Sequence, residues 1–97
     1  MGDKLHVIAK IEPDGGERRV LGRAAWALLN LLRAGESGCT PIDHPGPRWS
    51  DYVFKLRRYG FNVETVDESH SGPFAGSHAR YVLRSNVTIL EQTGNGA

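Results

Sequence analysis

Arg48, Ser50, Asp51, Tyr52, Lys55 and Arg58 stand close together in the stretch RWSDYVFKLRRYG. At about 100° per residue a helix turns Trp49, Val53 and Leu56 to one narrow stripe, and the polar and basic side chains away from it. That outward set suits polyanion chemistry. An arginine can bond both O6 and N7 of guanine, an aspartate can accept from cytosine N4, and Lys, Tyr and Ser serve phosphates and base edges. The plain alternative is a solvated charged face. Locally Arg48, Lys55, Arg57 and Arg58 stand against Asp51, whereas the whole chain carries a formal charge of only +1. Arg57 projects opposite Arg48, where pairing with Glu64 competes with any contact to a ligand.

A second group lies in residues 68–78, where Ser69, His70, Ser77 and His78 accompany glycines, Pro73 and Phe74. Small hydroxyls, glycine amides and imidazoles suit approach to a phosphate backbone or a minor groove. An ordinary hairpin tip has the same composition, although Phe74 in a loop favours contact with something. Cys39, His44, His70 and His78 show none of the close paired spacing of a structural metal site, so no metal and no cofactor are expected. Asp43-His44 and Ser69-His70 are neighbours without a nucleophile motif, so no catalytic residue and no enzyme are expected either.

The elements that must position these groups are legible from periodicity. Residues 4–11 alternate with Leu5, Val7, Ala9 and Ile11 on one face, which predicts a half-buried strand, and Pro13-Asp14-Gly15-Gly16 is turn chemistry. Residues 18–33 are expected to form a helix with Leu21, Ala24, Ala25, Leu28 and Leu32 along its stripe. Trp26 points off that stripe and needs cover from the N-terminal strand, the C-terminal tail or a second subunit. Thr40 before Pro41 predicts the start of a short second helix, broken by Pro45-Gly46-Pro47. The RWSDYVFKLRRYG stretch is then a third helix capped by Gly60, and Phe54, off the inner stripe, either packs on the short second helix near Ile42, the better fit, or touches a thymine methyl. Residues 61–66 and 79–83 alternate as two strands around the polar loop. Val87, Ile89 and Leu90 are candidates to pair with the N-terminal strand, and the end of the tail is expected to fray. The expected core is Leu21, Ala25, Leu28, Leu32, Ile42, Trp49, Val53, Leu56, Phe61, Val63, Tyr81 and Leu83.

A chain of 97 residues with 39% hydrophobic content suits one small folded domain. Its single cysteine excludes an internal disulfide, and no apolar run approaches the length of a membrane span. A cytoplasmic, nucleoid-associated protein is the expectation, with no membrane partner.

The sequence resembles the winged helix-turn-helix superfamily, and within it the small helix-turn-helix proteins of phages and prophages. The resemblance rests on Ala25-Trp26-Ala27-Leu28-Leu29, the Thr40 helix start, Lys55-Leu56-Arg57-Arg58-Tyr59-Gly60-Phe61, Val63-Glu64-Thr65 and His78-Ala79-Arg80-Tyr81-Val82-Leu83. It implies an α+β fold: a three-helix helix-turn-helix core followed by a β-hairpin wing, with an extra N-terminal strand. The organisation expected is an N-terminal strand and turn in residues 1–17, a winged helix-turn-helix domain in 18–84 and a partly disordered tail in 85–97. It further implies sequence-specific binding of double-stranded DNA by a small regulator or architectural factor. The third helix would read bases near Arg48, Ser50, Asp51, Tyr52 and Lys55, and the wing would touch DNA between Ser69 and Ser77. A lone domain would bind weakly, so a homodimer through the N-terminal strand or the Trp26 face is expected. Near-neutral charge and the aromatics Phe54, Tyr59 and Phe74 favour the rival reading, a winged helix that binds protein and not DNA.

Overall fold

The computed structural model describes residues 5–44, 48–70 and 76–94, with only the backbone of His70. The alternating N-terminal segment forms β1 (His6–Ile11), which turns at residues 12–15 and returns as β2 (Gly16–Leu21). Then come α1 (Gly22–Ala34) and a single 3-10 turn (Gly35–Ser37). They are followed by α2 (Trp49–Tyr59), β3 (Val63–His70), β4 (Gly76–Leu83) and β5 (Val87–Thr93).

Two antiparallel sheets flank the helices, one ordered β2-β1-β5 and the other β3-β4. Leu5, Val7 and Ala9 turn inward, as the period-2 pattern requires, and meet buried Ala25, Leu28 and Leu31 of α1 in one core. Val87 and Ile89 of β5 pack on the same core. The expected pairing of β5 with β1 is present, with a register shift that places Ile8 opposite Glu91 but Ala9 opposite Ile89. Leu90 is the residue skipped by this bulge, and it is exposed.

Several expectations need correction. Residues 18–21 belong to β2 and not to the first helix, and Leu21 is 49% exposed. Its position four residues before Ala25 mimics the helical stripe, but Val20 is the inward residue of the strand. Among the described residues there are two α-helices, so a three-helix core is not formed there. Thr40 does behave as a cap, its Oγ1 accepting from the Asp43 amide at 3.0 Å, yet the His44 amide closes back on the Thr40 carbonyl after a single turn. The expected break at residues 45–47 lies outside the described residues. Ile42 stays 59% exposed, and Leu32 and Leu83 are only partly buried.

Trp26 is covered from within the fold. Its ring lies 5.5 Å from Trp49 and 6.1 Å from Tyr52, and the Arg23 guanidinium stacks 4.2 Å above it. β1 is bonded on both edges, by β2 and β5. The cover expected for Trp26 thus comes from within the chain, and β1 has no open edge; the expected homodimer finds no support here.

Just after the 3-10 turn, Cys39 forms an antiparallel bridge to Tyr81, with both amide–carbonyl bonds at 2.8 Å. Gly38 makes this approach possible: its φ is +69°, and a Cβ there would stand 2.5 Å from the Tyr81 carbonyl oxygen. Burial raises the Cys39 thiol pKa to about 11, with nearby Arg80 opposing and Asp43 adding to the rise.

Candidate nucleic-acid interface

The segment from Trp49 to Tyr59 folds as a helix because its apolar residues recur at helical spacing and its charges suit the helix ends. Asp51 lies in the first turn, Arg57 and Arg58 lie in the last, and Gly60 closes the helix with φ +103°. The Gly60 amide donates to the carbonyls of Arg57 and Leu56. Trp49, Tyr52, Val53 and Leu56 are buried, which fixes the rotation of α2 against α1. Arg18 of β2 adds a tie by donating from Nε to the Tyr59 carbonyl at 2.6 Å.

This rotation sorts the predicted site residues. Arg48, Ser50, Lys55 and Arg58 are exposed and Asp51 is half-buried. Asp51 and Lys55 pair at 3.3 Å one helical turn apart, so the acid is offset locally. Tyr52 is corrected: it is 5% exposed and belongs to the core, with its hydroxyl accepting from Arg23 Nε at 3.3 Å. Phe54 is 56% exposed and so does not pack as expected near Ile42. The Arg58 guanidinium lies over its ring at 5.8 Å.

The hairpin residues form a second group. Ser69 pairs with Ser77 and His70 with Gly76 in the β3–β4 register. Ser69 and Ser77 are exposed, and the His70 side chain, like Phe74, lies outside the described residues. His78 lies opposite Glu68, with Nε2 at 3.2 Å from Oε1. Arg80 donates to the other Glu68 oxygen at 2.6 Å and to the Ser37 carbonyl at 2.6 Å. The bond from Arg80, helped by His78, holds the Glu68 carboxyl below the usual carboxylate range. Arg84 pairs with Glu64 at 2.7 Å. The arginines of β4 and its end are thus matched by β3 acids.

Arg57 joins the two groups structurally, but not through the expected partner. Its guanidinium donates to the Val63 carbonyl at 2.7 and 3.2 Å and to Thr65 Oγ1 at 2.9 Å, because Glu64 on the opposite strand face is taken by Arg84.

One feature was not foreseen. An open cleft of about 660 Å³ runs between α2 and the start of α1, lined by Leu21, Arg23, Phe54, Lys55, Arg58 and Tyr59 among others. Arg23, Lys55 and Arg58 thus meet on the α1 side of α2, with Asp51 beside them, whereas Arg57 is held toward the hairpin. The signal for Arg23 was its place outside the first-helix stripe. Its meeting with α2 required the helix crossing, which periodicity does not give.

Among the described residues no three His, Cys, Asp or Glu side chains converge on a possible metal position, and no helix is long and apolar enough to cross a membrane. A helix locked by its buried stripe and followed by an antiparallel hairpin is the architecture of a winged helix. Residues 17–93 match the family described as winged helix domain, and the chain belongs to that family. Neither the curated proteins nor the solved structures compared with the chain gave a match.

Proposed function

We propose that this winged helix is a sequence-specific regulator or architectural factor of phage-like type, with α2 entering the major groove of double-stranded DNA. The observation that supports this best is the sorting of α2. Its buried stripe anchors it while Arg48, Ser50, Lys55 and Arg58 remain exposed. Arg48, at the end of the helix nearest the groove floor, reads a base with Ser50. Lys55 and Arg58, with Arg23 across the cleft, neutralise phosphates. Asp51 accepts from a cytosine amino group once Lys55 turns to the backbone. The hydroxyls of Ser69 and Ser77, with His70 and His78, approach the sugar-phosphate backbone from the hairpin.

A protein-binding winged helix is the second reading. It is favoured by Leu21 and Phe54, which leave apolar surface exposed beside the cleft at 49% and 56%.

A mobility-shift series on random and then selected duplexes at several salt concentrations separates the two. Arg48→Ala is expected to cost about 1–3 kcal/mol and to relax preference at one position. Lys55→Ala is expected to weaken all sequences alike and to flatten the salt slope by about one. Unchanged affinity in both variants, with the fold intact, refutes this face. Absence of any duplex binding at low salt gives precedence to the protein-binding reading.

A further inference from the structure

We propose that Phe54 reads thymine, by packing its ring against the C5-methyl group in the major groove. The inference rests on the major-groove reading of α2 and assigns it one base.

Phe54 is 56% exposed although nothing in its position prevents a polar residue there. Its neighbours on the same helical row are Ser50 and Arg58, both exposed, at one turn to either side. This row lies across the helix from the buried Trp49, Val53 and Leu56 stripe, and Phe54 and Arg58 stand on the exposed side at the mouth of the cleft beside α1. Asp51 on the adjacent row is paired to Lys55 in the free protein. The Arg58 guanidinium stands over the ring at 5.8 Å.

An aromatic ring on the exposed side of such a helix cannot satisfy hydrogen-bonding edges. On the major-groove edges of the four bases, the apolar group is the thymine methyl. Residues four apart along a helix are separated by about 6 Å, close to two base-pair steps of about 3.4 Å. The thymine facing Phe54 therefore lies about two base pairs from the position faced by Arg58, which from there reaches a guanine edge or the flanking phosphate.

The test uses duplexes selected from a random pool by the full chain at low salt. Each thymidine is replaced singly by deoxyuridine, which removes only the methyl group. One position is expected to bind about four-fold more weakly, the effect of one buried methyl-sized group, while the others change little. Phe54→Ala should bind the thymine and uracil duplexes equally, and Phe54→Leu, still apolar, should keep the preference. Both variants alter an exposed side chain and should fold as the parent does. Neutral replacement at every thymine overturns the proposal, as does a preference that survives in Phe54→Ala. If Arg48→Ala still weakens binding in those cases, only the thymine assignment fails. If no duplex is selected at all, the major-groove reading fails and takes this assignment with it.

Discussion

Replacing Trp49 should weaken the whole domain, because its ring is where three elements meet. The side chain is 2% exposed and stacks on Tyr81 of β4 at 6.0 Å and 15°. It also meets Trp26 of α1 at 5.5 Å and Tyr52 of its own helix at 6.2 Å. Its indole N–H donates to the His44 carbonyl. Burying about 200 Å² of aromatic surface at about 25 cal/mol per Å² contributes about 5 kcal/mol. Partial collapse of the vacated space brings the expected loss for Trp49→Ala to about 3–5 kcal/mol. That is a large share of the roughly 5–15 kcal/mol typical of a domain. Trp49→Phe keeps most of the ring stack and loses the N–H bond, for about 1–3 kcal/mol. Urea unfolding followed by far-UV circular dichroism suits both variants, since tryptophan emission changes with the mutation itself. With a slope near 1.5 kcal/mol per M, the alanine variant's midpoint should fall by about 2–3 M. A midpoint shift below about 0.5 M for Trp49→Ala would show that the ring does not join α1, α2 and β4 in solution.

Two further measurements probe other links. Leu28→Ala, at a fully buried position, should cost about 2–5 kcal/mol, whereas exposed Ile42→Ala should stay within about 0.5 kcal/mol; equal costs in a denaturant titration would contradict the burial pattern. The Cys39 thiol, with its pKa raised from 9.0 to about 11, keeps its proton in the folded chain after the unfolded chain has released it. Stability should therefore hold below pH 9 and decline between pH 9 and 11, and Cys39→Ala should decline less over that window; identical pH profiles would exclude this linkage.

Much of the fold was readable where pattern and burial coincide. The alternation of Val7 and Ala9 in β1, continued back to Leu5 just before it, is clear because one face of the strand is buried, and the Trp49-Val53-Leu56 stripe is clear because α2 has one dry side.

 What failed has a physical cause in each case. Leu21 fits a helical stripe and a strand end equally well, and the pairing of Val20 with Val7 settled the matter. Tyr52 lies one step to the side of the Trp49-Leu56 stripe, and only the crossing of α1, which brings Trp26 and Arg23 over it, makes that step a buried one. The same crossing forms the cleft beside α2. The Arg48, Ser50, Lys55 and Arg58 face could be read from spacing, whereas the ion pairs that occupy Glu64, Glu68, Arg80 and Arg84 depend on a hairpin register that alternation alone leaves open.

The pairing of His6 with Thr93 and of Ile11 with Val87 makes β1 the hub of a sheet whose third strand is the last to be synthesised. Until that strand leaves the ribosome, β1 has one row of amides and carbonyls without partners, an open template for another chain. Contacts of such long sequence separation also close slowly, since the loop entropy must be overcome before the pairing repays it. A chain without β5 would leave that row of β1 open even with β2 in place. When β5 docks, the open edge passes from β1, at the centre of the sheet, to β5 at its rim.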